Sequence, residues 1–74
     1  MKKIYLAEAI EVYGMEIDST RKMYTDHYNK ACYALRRGDF SNYRKSMNQA
    51  ANLNMKLMKL GKELNVIKAA YAAI

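Results

Sequence analysis

Apolar residues recur along the chain at steps of three and four, and the rhythm breaks once. Leu6, Ile10, Tyr13, Ile17, Tyr24, Tyr28, Ala31 and Leu35 share one face of a helix, with Thr20 or Arg21 as the single polar interruption. From Phe40 the stripe resumes through Tyr43, Met47, Ala50, Leu53, Leu57, Leu60, Leu64, Ile67, Tyr71 and Ile74, while Asn48, Asn52, Lys56, Lys59 and Lys62 fall mostly off it. The pattern predicts an all-α chain: one helix over about 3–37, a second over about 40–72, in a single domain covering 1–74.

The break has a local cause. Gly38 can adopt the left-handed conformation that closes a helix, and Arg36 and Arg37 suit the negative end of the helix dipole. Asp39 can then accept hydrogen bonds from the free N–H groups of the next helix. Pro is absent, and the other two glycines, Gly14 and Gly61, stand alone inside periodic segments. A tight turn at Arg37–Asp39 therefore joins two antiparallel helices.

Folding the chain there brings the stripes together. Leu6 falls opposite Tyr71, Ile10 opposite Ile67, Tyr13 opposite Leu64, Ile17 opposite Leu60 and Tyr24 opposite Leu53. Nearer the turn, Tyr28 meets Ala50, Ala31 meets Met47 and Leu35 meets Tyr43. Each helix should be about 50 Å long at about 1.5 Å per residue. A lone pair of such helices leaves its seam half covered, which predicts a four-helix-bundle dimer or a higher oligomer. A monomeric hairpin docked on another protein is the alternative. Tyr5, Val12, Met15, Met55, Met58 and Val66, with Ala9, Ala69, Ala70 and Ala73 among their neighbours, are the apolar residues beside the seam that could form the contact. Gly14 and Gly61 lie at nearly the same height, which suits either a close helix approach or two tolerated surface glycines.

Composition narrows the setting. Seventy-four residues is the size at which one core is marginal, and a lone Cys32 allows no intrachain disulfide, which fits a reduced, cytoplasmic environment. Glu8 and Glu11 interrupt the apolar start, so it does not read as a signal peptide, and no run is long and apolar enough to predict a membrane span. At 51% hydrophobic residues the chain is a folding one.

Charge is unevenly placed. Lys2 and Lys3 stand against Glu8, Glu11, Glu16 and Asp18 in residues 1–20, a net of −2, within a chain of net +6. Around the turn, Arg21, Lys22, Lys30, Arg36, Arg37, Arg44 and Lys45 face Asp26 and Asp39, a net of +5. Such a cluster attracts anions, whether nucleic acid or an acidic protein surface. Lys30, Arg36, Arg37, Arg44 and Lys45, with the unpaired ring of Tyr33, are the candidate binding residues. Tyr24, Tyr28 and Tyr43 belong to the seam in this reading.

Catalytic chemistry finds no support. His27 and Cys32 are five residues apart and point about 140° away from each other around a helix. No Cys or His pair has metal-ligand spacing, and no glycine-rich phosphate loop occurs. No catalytic, metal or cofactor site is assigned.

Two resemblances bear on shape. Ala31, Ala34, Leu35, Gly38, Asp39, Phe40 and Tyr43 resemble the inter-helix stretch of tetratricopeptide-like hairpins, which implies a helical turn. The layout of two long helices and one tight turn is similar to the plasmid-encoded Rop-type hairpins, a likeness of architecture that implies dimers and RNA binding. The expected function is that of a small non-enzymatic regulator or inhibitor that binds a larger protein, of a kind that suits phages and other mobile elements. Nucleic-acid binding by the basic turn is the alternative, and a small anionic ligand held between subunits is the third.

Overall fold

The computed structural model describes residues 2–74 and arranges them as an antiparallel hairpin of α1 (Lys3–Arg36) and α2 (Phe40–Ala72). The rod measures 54 × 14 × 12 Å, one helix long and two helices wide. Its Cα radius of gyration of 16.6 Å compares with about 11 Å for a globular chain of this length. None of the described helices is long and apolar enough to cross a membrane.

Backbone and side chain close the turn in succession. Asp39 N–H donates to the Ala34 carbonyl at 2.9 Å and Gly38 N–H to the Leu35 carbonyl at 3.1 Å. This pairing satisfies the last carbonyls of a helix when the residue beyond it turns left-handed. Gly38 does so, with φ of 72°. Asp39 then accepts from the Asn42 N–H at 3.2 Å and from the Asn42 side-chain amide at 2.6 Å, capping α2.

The seam alternates strictly between steps of three and four. In α1 it runs Leu6, Ile10, Tyr13, Ile17, Thr20, Tyr24, His27, Ala31, Ala34; in α2 it runs Tyr43, Ser46, Ala50, Leu53, Leu57, Leu60, Leu64, Ile67, Tyr71. Every one of these is buried or half-buried. A repeat of this kind keeps the facing stripe on the partner along the whole length of two helices.

Near the turn the expected seam needs correction. Tyr28 and Leu35 are exposed, and the residues before them, His27 and Ala34, take the seam positions. On α2, Ser46 joins the seam, while Phe40 and Ile74 lie outside it and are exposed. The reason is periodic: the strict three-four repeat carried from Leu6 and Tyr71 reaches His27, Ala34 and Ser46, and Tyr28, Leu35 and Phe40 fall one residue off it. With the shift made, one register serves throughout, and His27 faces Ala50, Ala31 faces Ser46 and Ala34 faces Tyr43.

Three side-chain contacts tie the helices together across the seam. The Tyr13 hydroxyl donates to Glu63 Oε2 at 2.9 Å, Lys56 Nζ lies 3.4 Å from Glu16 Oε1, and Lys3 Nζ sits 4.6 Å above the Tyr71 ring. Three polar residues besides the tyrosines occupy the seam itself, Thr20, His27 and Ser46. Thr20 is satisfied within its own helix, its hydroxyl donating to the Glu16 carbonyl at 2.7 Å. His27 Nδ1 is buried without a partner.

Two stability effects follow. Gly38→Ala and Asp39→Ala should each lower the unfolding free energy by about 1 kcal/mol, the first by placing a Cβ in the left-handed region and the second by removing a cap. His27→Leu should raise it by about 1 kcal/mol, since it removes a buried polar group that has no partner. Urea unfolding followed by circular dichroism measures all three. An unchanged midpoint in Gly38→Ala would contradict the turn geometry.

Candidate functional site

The strict repeat divides the hairpin surface into two sides. One side carries Ala9, Glu16, Met23, Lys30 and Arg37 from α1 beside Asn42, Gln49, Lys56, Glu63 and Ala70 from α2. At the turn end of this side the helices frame an open groove of about 840 Å³. Lys30, Tyr33, Ala34 and Arg37 form one wall, Asn42, Lys45, Ser46 and Gln49 the other, with Asn29 at the edge and Asp39 at the turn. Ala34 and Ser46, two of the small seam residues, form part of this lining.

Of the six basic and aromatic residues expected around the turn, Lys30, Tyr33, Arg37 and Lys45 line this groove. Arg36 and Arg44 are exposed outside it. Helical spacing explains the division, because Lys30 and Arg37 are seven residues apart and share a side, while Arg36 is turned about 100° from Arg37. The amides of Asn29, Asn42 and Gln49 complete the polar surface, and these were not anticipated. Only the exact phase of the seam identifies them.

Electrostatics along this side change from end to end. Among the described residues the one ion pair is Glu16–Lys56, so Lys30, Arg37 and Lys45 have no carboxylate partner. The one carboxylate of the groove, Asp39, is occupied by the two Asn42 donors. Arg37 extends back along its own helix, donating to the Tyr33 hydroxyl at 2.9 Å, its guanidinium 5.4 Å from the ring centre. The contact holds an exposed, flexible side chain over the groove wall. An anion entering would meet three cations and several amide donors.

The far end has a different character. Tyr13 is held above its ordinary value near 10, first by its hydrogen bond to the Glu63 carboxylate, then by burial and by the charges of Glu63 and Glu16. Among the described residues no three His, Cys, Asp or Glu side chains cluster as metal ligands would. Cys32 is a half-buried free thiol. The six apolar candidates Tyr5, Val12, Met15, Met55, Met58 and Val66 are all exposed, and they do not form one patch. Tyr5, Val12 and Val66 flank the groove's side at the end far from the turn, Met15 and Met55 lie on the outer backs of the helices, and Met58 lies on the opposite side.

Comparison with protein-family models, with curated proteins and with solved structures returns no match. The reading of this chain therefore rests on its own geometry.

The Tyr13–Glu63 contact gives a pH test of the helix pairing. A tyrosine whose folded value is raised contributes stability that is complete below about pH 10 and is lost as pH rises through the folded value. Ultraviolet titration of the seven tyrosines should show one that ionises late. That late component should vanish in Tyr13→Phe and move earlier in Glu63→Gln, and a wild-type titration without it would contradict the contact.

Proposed function

We infer that this chain is a small non-enzymatic interaction protein whose groove at the turn docks an acidic segment of a larger protein. The observation that carries this reading is the set of three cations, Lys30, Arg37 and Lys45, in one open groove with no carboxylate paired to them. Unpaired cations with adjacent amide donors suit carboxylates on an extended chain, where each contact is a charge-assisted hydrogen bond. The groove is open to solvent, which suits a segment of chain better than an enclosed compact molecule. Binding such a segment would make the hairpin a regulator or inhibitor of the protein that bears it.

A second reading has a specific observation in its favour. Tyr33 is 59% exposed on the groove wall, and a ring beside cations is a platform on which a base can stack. On this reading phosphates occupy the cation positions and the chain binds single-stranded RNA or DNA. Arg37 already covers part of that ring and uses its hydroxyl, which leaves less of the platform free. The protein reading is therefore placed first. The third candidate is a small anionic ligand held between subunits near the same cations.

Fluorescence anisotropy with two probes separates the readings. A labelled acidic peptide of alternating Glu and Gly should bind more tightly than a mixed-sequence single strand of equal charge, and Lys30→Glu/Lys45→Glu should abolish binding while leaving helicity intact. If the single strand instead binds more tightly, with log affinity falling against log salt at a slope of about −2 for three phosphates, and Tyr33→Ala removes most of that binding, the nucleic-acid reading takes first place. Failure of both probes to bind would reject the groove as a docking site.

A further inference from the structure

The side of the seam opposite the groove is unlike it in composition. Its flanking positions, taken from the turn outward, pair Leu35 with Phe40, Tyr28 with Met47, Arg21 with Asn54, Gly14 with Gly61 and Ala7 with Lys68. Large side chains stand at the turn end. The two glycines stand side by side further along, and a Cβ built on either would meet nothing within 4 Å. The side thus carries a bump and a notch, Tyr28/Met47 and Gly14/Gly61, each seven residues or about 10 Å from the level of Arg21 and Asn54.

We propose that this side is the self-contact of a two-fold dimer in which the two hairpins run antiparallel, with the axis at the level of Arg21 and Asn54. Rotation about that axis lays α1 on the partner's α1 and α2 on the partner's α2. Tyr28 then meets Gly14 of the partner subunit, and Met47 meets Gly61 of the partner subunit. The same operation sets Leu35 against the partner's Ala7, Phe40 against the partner's Lys68, and Met58 within one residue of the level of the partner's Ala51. A large apolar side chain meets a small residue at four of these five places, and interfaces between helices pack best when side chains of one enter spaces on the other.

Charge fits the same arrangement. Asp18 lies one turn from Arg21, so each Arg21 at the axis reaches Asp18 of the partner subunit, and the two pairs are reciprocal. Glu11 and Asp18 of the acidic quarter share this side with Arg21 and Arg44, so the contact surface carries both signs. The alternatives fare worse. Parallel hairpins on this side would press Tyr28 on Met47 and leave glycine facing glycine across a void. Parallel hairpins joined through the groove's side would bring two unpaired cation clusters together, and antiparallel ones, while bringing Lys45 level with the partner's Glu63, would cover both grooves.

Area supports a partner of this size. The hairpin exposes 5776 Å², whereas a compact monomer of 8.6 kDa exposes about 4,700 Å². The surplus of about 1,100 Å² is comparable with the roughly 800 Å² that each partner contributes to a stable interface. The groove, on the opposite side, stays open in this dimer.

Sedimentation equilibrium of the full chain should give twice the mass of 8.6 kDa at micromolar concentration. Gly14→Leu fills the notch while improving helix propensity, so it should weaken dimerisation about tenfold or more without loss of helicity. Gly14→Leu combined with Tyr28→Ala exchanges bump and notch and should restore the dimer. In a Cys32→Ala background, Asn54→Cys should form a disulfide with its symmetry mate on oxidation, and Met55→Cys, on the back of α2, should not. A wild-type monomer at about 1 mM, an unaltered dimer in Gly14→Leu, or preferential cross-linking through Met55→Cys would each overturn the proposal.

Discussion

Two helices touch along a line, and a line can enclose little. This constraint shapes the whole molecule. Ala31 and Ala50 are the residues at 1% exposure or less, while Leu53, Leu57, Leu64 and Ile67, larger and equally well placed in the repeat, remain half-exposed. A small side chain disappears between two backbones. A large one needs neighbours on its second side, which the hairpin supplies at Leu6, Ile17 and Leu60 but not along the rest of the seam. Burial of each half-exposed leucine therefore contributes only part of the roughly 1.5–3 kcal/mol that full burial brings. The chain compensates by length, repeating the contact over nine levels of seam, and by covering the flanks with long side chains such as Lys3 over Tyr71.

From the same constraint comes the separation of the two sides. Near the turn the seam includes the small residues Ala31, Ala34, Ser46 and Ala50, and the character of the flanking positions decides what the surface can bind. On one side those positions hold Lys30, Arg37, Asn42 and Gln49, which frame a polar groove. On the other they hold Tyr28, Leu35, Phe40 and Met47. The distinction between them is one of helical phase, a turn of about 100° per residue, and it separates Arg36 from Arg37 and Tyr28 from His27.

Much of the fold could be read from the sequence, because the signals for it are local. Gly38 and Asp39 act on the residues beside them, and the three-four rhythm needs no knowledge of a partner. The phase of the seam near the turn was not legible in the same way. Between Thr20 and Leu35 the residues Tyr24, Tyr28, Ala31 and Leu35 follow an unbroken three-four spacing, and hydrophobicity alone selects them. Ala34 and His27 take those positions because the repeat set by both helices together further from the turn reaches them and leaves Tyr28 and Leu35 one residue off it. The same limit applied to the candidate site. Charge density pointed to the turn, but the division of Lys30, Arg37 and Lys45 from Arg36 and Arg44, and the presence of Asn29, Asn42 and Gln49, depend on the phase.

Electrostatics then links the two surfaces. A chain of net +6 repels its own copies, and the repulsion is strongest where the cations of the turn would approach one another. An arrangement that places the turns at opposite ends of a rod 54 Å long separates them by several screening lengths, each of about 8 Å at physiological salt. It also leaves every groove facing solvent with its cations unpaired. The glycine notch would thus do two things at once: it admits the partner's large side chains, and by fixing the antiparallel direction it keeps both anion-docking ends free. A dimer of this form presents two equivalent sites far apart, and a partner with two acidic segments at matching separation would be held by both. Binding would then exceed the affinity of either groove alone, since the second contact forms at the high effective concentration set by the first.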